Sequence, residues 1–131
     1  MAGIRLNEAR LAELQMFGEA ELSQIADELI AALGELPDEL SRALAGGDLT
    51  TAASLAHRGR GEALMVGATE FSDALQRLEQ AARSSEPAAA KEAAAEVDEL
   101  WPDTRAAIEQ LRAESPGGDS GGGPAGAEPP G

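Results

Sequence analysis

The side chain best suited to covalent chemistry in this chain is His57, the single histidine of a sequence that contains no cysteine. Near physiological pH a neutral imidazole has a lone pair with which it can act as a nucleophile. Arg58 and Arg60 stand close to His57 in an otherwise acidic chain, and their charges favour an anion beside the ring. A nucleophilic imidazole with cationic neighbours suits a phosphoryl carrier, in which a ring nitrogen attacks phosphorus. The competing interpretation is a structural or merely exposed histidine.

A helix through this stretch would place four residues on one face, because their spacing is i, i+3, i+4 and i+7. These residues are His57, Arg60, Gly61 and Leu64. Glycine inside a helix costs about 0.8–1 kcal/mol relative to alanine, so the presence of glycine at position 61 calls for an explanation. Without a side chain at Gly61, a large group can approach the imidazole closely. Gly59 points toward the core instead, where close contact between helices is at least as good an explanation.

The residue inventory disfavours other chemistries. One histidine without cysteine does not make a zinc site, and no glycine-rich loop follows a strand to bind a nucleotide. Acidic pairs such as Asp38/Glu39 fall on predicted solvated faces, which argues against acid–base catalysis. The formal net charge of −14 argues against binding to nucleic acid or to an anionic membrane.

The elements that must position His57 are helices, because the chain is rich in Ala, Leu and Glu and nearly free of aromatic residues. Apolar residues recur at helical spacing over 19–45, 49–67 and 69–83, and again in a last helix that starts at Pro87. A shorter helix within 4–18 is predicted, capped by Asn7 and packed onto the next element through Phe17. The short turns predict an all-α fold, an antiparallel up-down-up-down four-helix bundle with a short extra N-terminal helix.

The composition changes near Ser115, after which the chain is rich in proline and glycine. We expect a folded domain over 1–113 and a disordered tail over 114–131, because the tail has too little apolar surface to bury. The sequence has no signal-peptide pattern and no apolar run of membrane-spanning length. We therefore expect the protein in the cytoplasm, and we also expect it to be a monomer.

Several short motifs, in order and at consistent spacing, resemble the histidine-containing phosphotransfer (HPt) domain family. They are Gly47-Asp48, Leu55-Ala56-His57, Arg60-Gly61, Val66-Gly67-Ala68 and the run from Leu78 to Arg83. The resemblance covers about residues 11–111 and implies a four-helix bundle whose exposed histidine carries phosphoryl groups.

By this resemblance, His57 is the phosphorylated residue, Arg60 takes the place of the usual lysine near the phosphoryl group, and Gly61 gives clearance to the partner. Arg58 and Leu64 would then contact that partner. The implied partners are a response-regulator receiver domain and a sensor or hybrid histidine kinase. The chain would be a phosphocarrier without kinase activity or a cofactor of its own, and Mg²⁺ is expected on the receiver.

Gly59 departs from the family pattern, which has an apolar residue there, and we expect it to loosen the packing behind His57. Two other functions remain open at this point. One is a helical adaptor that binds receiver or kinase domains without accepting phosphate. The other is the N-terminal phosphoacceptor module of a chemotaxis-type kinase.

Overall fold

The computed structural model describes residues 6–113, and within this range the chain forms five helices and no strand. The predicted all-α class is confirmed. The predicted tail over 114–131 lies outside the described residues. The helices are α1 (Glu8–Leu14), α2 (Glu19–Ala45), α3 (Leu49–Met65), α4 (Thr69–Arg83) and α5 (Pro87–Ala113).

The four long helices form the predicted bundle, in which α2 packs on α3, α3 on α4, α4 on α5, and α5 back on α2. Connections of three residues make successive helices antiparallel. The turn after α2 shows how the sequence ends a helix. Gly47 adopts a left-handed φ of 73°, and the Asp48 N–H donates to the Ala43 carbonyl over 2.8 Å. Asp48 then caps α3 by accepting from the Thr51 N–H.

Leucine and alanine fill most of the bundle core, as the helical periodicity predicts. Phe71 is its largest fully buried side chain, and the partly buried Trp101 packs against it with ring centroids 5.7 Å apart. Pro37 and Pro102 lie inside α2 and α5, and both helices continue through them. The other large, fully buried side chains are Leu22, Leu33, Leu36, Leu40, Val66, Leu75, Leu78, Val97, Thr104 and Ile108.

The short helix α1 packs beside the turn between α3 and α4. Asn7 caps it as predicted, and the Asn7 N–H also donates to the Gly67 carbonyl over 2.8 Å. The prediction that Phe17 anchors this helix is wrong, because Phe17 is exposed, whereas Leu6 and Leu14 are buried. Phe17 fails as an anchor because α1 ends at Leu14, three residues before it.

Within residues 6–113, no helix is both long enough and apolar enough to cross a membrane.

Candidate functional site

Helix α3 presents His57 at the edge of its contact with α4. The residues that α3 buries are small, namely Ala52, Ala53, Ala56, Gly59 and Ala63. Small residues let two helices approach closely, and α3 and α4 share the most extensive interface of the bundle. The His57 side chain is 61% exposed, yet its ring reaches across to Glu79 on α4.

Glu79 is the centre of a cluster that joins α3 and α4. Its side chain is only 12% exposed, and its Oε2 lies 3.1 Å from His57 Nδ1. The same oxygen accepts a hydrogen bond from Arg83 Nε over 3.0 Å and lies 2.9 Å from Arg83 Nη2. Arg60 Nε lies 3.9 Å from the other oxygen, Oε1, which is within ion-pair range but too far for a hydrogen bond.

The charges around Glu79 keep it ionised. Burial alone raises the pKa of Glu79, but the hydrogen bond from Arg83 and the electrostatic effects of His57 and Arg83 outweigh it. The pKa of Glu79 therefore lies below the ordinary value for a glutamate. An ionised carboxylate near neutral pH can only accept hydrogen bonds.

This carboxylate determines which nitrogen of His57 can react. Because Glu79 only accepts, the neutral imidazole must carry its hydrogen on Nδ1 and donate it to Oε2. The lone pair is then on Nε2, which makes no hydrogen bond to any residue within 6–113. The arrangement thus leaves a nucleophilic lone pair on Nε2 of a largely exposed side chain, and the hydrogen bond from Nδ1 to Glu79 fixes the orientation of the ring.

The residues predicted to share a face with His57 lie on the outer side of α3. Arg60 is close enough to Glu79 to belong to the same cluster. Gly61 is exposed, and a Cβ atom built there would meet no atom within 4 Å. Leu64 is 50% exposed, and its neighbour Met65 adds a further exposed apolar side chain.

Arg58 lies apart from this cluster. Its Nη2 is 3.3 Å from Glu39 Oε1 on α2, whereas the Glu79 cluster is on the α4 side of α3. The two arginines that flank His57 in sequence therefore belong to two different ion pairs.

Gly59 corrects an expectation from the sequence. A Cβ atom at Gly59 would overlap the Leu36 Cδ2 methyl and lie 3.2 Å from Leu75 Cδ1. Side chains from α2 and α4 thus already fill the space that a larger residue would occupy. The prediction of loose packing behind His57 is wrong, because the neighbouring helices approach closely at Gly59.

Glu79 and Arg83 were not predicted as site residues, although both lie in the motif from Leu78 to Arg83. The signal for Glu79 was its position, four residues after Leu75 and three before Ala82, on the inward side of α4. A charged residue in an otherwise apolar stripe needs a partner, and helical spacing offers Arg83 as one, four residues after Glu79.

No group of three or more histidine, aspartate and glutamate side chains within residues 6–113 is arranged to hold a metal ion.

Comparison with known proteins gives one match. A family model described as Hpt domain matches residues 24–114, which include His57, Arg60, Glu79 and Arg83. Neither a curated protein nor a solved structure matches the sequence significantly.

Proposed function

The chain belongs to the Hpt domain family, and on this premise we propose that His57 accepts a phosphoryl group on Nε2 and passes it to a receiver-domain aspartate. Hpt domains are phosphocarrier modules for histidine phosphotransfer in phosphorelays, and they interact with receiver and kinase domains. The observation that carries the proposal is the hydrogen bond between His57 Nδ1 and Glu79, because it leaves Nε2 as the exposed nucleophile.

The transfer follows from this geometry. The Nε2 lone pair attacks the phosphorus of an aspartyl phosphate on the donor receiver, forming an N–P bond. The bond from phosphorus to the aspartate oxygen breaks, and its electron pair leaves with the carboxylate. The ring gains a positive charge, which the Nδ1–H hydrogen bond to ionised Glu79 stabilises. In the onward step an aspartate oxygen of the next receiver attacks phosphorus, and the N–P electron pair returns to Nε2.

Arg60 supplies positive charge for the transferred group. It is one helical turn after His57, on the same face, and no hydrogen bond holds it to Glu79. Arg60 can therefore turn toward a phosphoryl group on Nε2 without first breaking a strong contact. A guanidinium group binds phosphoryl oxygens through charge-assisted hydrogen bonds.

The exposed side of α3 forms the contact surface for the receiver in this proposal. Gly61 leaves space beside the imidazole, and Leu64 offers apolar surface one turn further along. Arg58 lies at the opposite edge, toward α2. The chain acts as a cytoplasmic monomer without a cofactor of its own, and Mg²⁺ is bound by the receiver.

The test is incubation of the protein with a panel of phosphorylated receiver domains and histidine kinases. Wild-type protein should gain an acid-labile, base-stable phosphoryl group, and His57→Gln should gain none. If no donor labels the wild-type protein, the phosphocarrier proposal is wrong. Binding and signalling that persist in His57→Gln would point to the adaptor function instead.

A second variant tests the role of Arg60. Arg60→Ala should slow phosphotransfer by about 10- to 150-fold, because removing one charge-assisted contact costs about 1.5–3 kcal/mol. Arg105→Ala is the matched control, since Arg105 forms an exposed ion pair on α5. Circular dichroism should show wild-type helicity for both variants, and a loss of helicity in Arg60→Ala would contradict this assignment.

A further inference from the structure

Arg83 holds the carboxylate that orients His57, although it does not contact His57 itself. It lies one helical turn after Glu79 on α4, and its Nε and Nη2 atoms both approach Glu79 Oε2, at 3.0 and 2.9 Å. This is the same oxygen that accepts from His57 Nδ1. The Arg83 side chain is 59% exposed, so filling the core does not explain its position.

The two arginines near Glu79 bind it with unequal strength. Arg83 donates to Oε2 within hydrogen-bond distance, whereas Arg60 stays 3.9 Å from Oε1. A carboxylate this well buried needs a cationic partner. If Arg83 were absent, Arg60 would be the nearest remaining cation, and Glu79 would compete with a phosphoryl group for it.

We propose that Arg83 is a positioning residue for phosphotransfer, which acts through Glu79 in two ways. It fixes Oε2 against His57 Nδ1, so that the reactive lone pair stays on Nε2. It also neutralises Glu79, so that Arg60 remains available to the phosphoryl group. This inference rests on the proposed function of His57 and deepens it by adding a residue that never touches the transferred group.

The charge of the cluster supports this division of roles. Glu79 brings one negative charge, and Arg60 and Arg83 bring two positive charges, so one positive charge is in excess before phosphorylation. A phosphoryl group adds two negative charges at most while the ring gains a positive one. With Arg83 present the phosphorylated cluster is about neutral, and without it the cluster is anionic in a chain that already carries a formal net charge of −14.

The first test is the tautomeric state of His57, read from the ¹⁵N chemical shifts of its ring in the full chain. Wild-type protein should show the Nδ1–H tautomer, and Arg83→Gln should show a shift of population toward Nε2–H. Arg83→Lys keeps the charge and should restore part of the wild-type population. Arg77→Gln is the matched control, because Arg77 is a similarly exposed arginine on α4 that pairs with Glu96 of α5.

The second test is the rate of phosphoryl transfer to His57 from a receiver that labels the wild-type protein. Arg83→Gln should be slower by about tenfold, since small errors in the position of a reacting group are costly, and Arg83→Lys should be intermediate. Wild-type ring shifts and a wild-type rate in Arg83→Gln would overturn the proposal. An equal loss of rate in Arg77→Gln would also overturn it, because the effect would then be a general one of charge or stability.

The two readouts separate this inference from the proposed function. The tautomer measurement needs no phosphoryl donor, so a population shift in Arg83→Gln supports the positioning of His57 even if no receiver ever labels the chain. Labelled wild-type protein with unchanged ring shifts and an unchanged transfer rate in Arg83→Gln would leave the phosphocarrier function intact and refute the role of Arg83.

Discussion

Replacing Gly61 with alanine should make the domain more stable and the phosphocarrier slower. The position is inside α3, exposed, four residues after His57. A Cβ atom there would meet no atom of the domain within 4 Å, so the added methyl group has no steric cost in the free protein. Any loss of function must then arise from contact with the partner.

The gain in stability can be estimated from helix propensity. Alanine is favoured over glycine in a helix interior by about 0.8–1 kcal/mol. No steric clash reduces this gain at Gly61, because a Cβ atom there meets no atom within 4 Å. For a domain of this size such a change raises the melting temperature by about 4 °C. The methyl group would also stand beside the imidazole, where displacing the donor by about 1 Å can cost up to about 100-fold in rate.

The assay compares thermal unfolding and single-turnover phosphotransfer in wild type, Gly61→Ala and Gly34→Ala. Gly34 is a matched control because it is also an exposed glycine within a long helix, and its Cβ would only reach ordinary contact, 3.4 Å from Trp101 Cζ2. Both variants should be stabilised, and only Gly61→Ala should lose at least tenfold in transfer rate. A Gly61→Ala protein that is more stable and transfers at the wild-type rate would refute the clearance role.

Three further predictions concern the packing and charge of the same bundle. Gly59→Ala should lower the free energy of unfolding in urea by about 1 kcal/mol, because overlap with Leu36 outweighs the gain in helix propensity; an unchanged or higher value would contradict the close packing. Ser85 has a left-handed φ of 57°, so Ser85→Gly should raise the free energy of unfolding by about 0.5 kcal/mol, and a lower melting temperature would count against this backbone conformation. Because the pKa of folded Glu79 lies below its ordinary value of 4.5, its charge stabilises the fold above that pH, and this contribution is lost as the pH falls through the folded-state pKa. Glu79→Gln should therefore be less stable than wild type at pH 7 by about 1 kcal/mol, and urea unfolding at pH 3 should show a smaller difference.

The sequence was enough to predict the bundle, because helix boundaries depend on local signals. The run Gly46-Gly47-Asp48 contains a left-handed stop and the next N-cap in adjacent residues, and α2 and α3 end and begin there as predicted. The position of α1 was harder to predict, since Phe17 and Leu14 both fit an apolar stripe. Helix α1 ends at Leu14, and its contacts with the turn between α3 and α4, such as Asn7 with Gly67, join residues far apart in the chain.

The candidate site shows the same division between local and long-range information. Helical spacing alone placed Arg60, Gly61 and Leu64 on the face of His57, because all four residues share one helix. Spacing within α3 could not identify Glu79, which comes from the neighbouring helix. It also could not show that Arg58 pairs toward α2 while Arg60 lies toward α4. Partners across helices depend on how the helices are rotated against each other, which a one-helix pattern does not contain.

The choice of a glutamate at position 79 has a cost and a chemical advantage. An amide there could either accept a hydrogen bond from Nδ1 or donate one to it, so it would not select a tautomer, whereas an ionised carboxylate only accepts. The cost is a buried negative charge, which is tolerated only with well-placed cations. Arg83 and Arg60 provide them, and a phosphoryl group on Nε2 would need positive charge in the same place. The charges that allow Glu79 to be buried are therefore also the charges that prepare His57 to carry an anion.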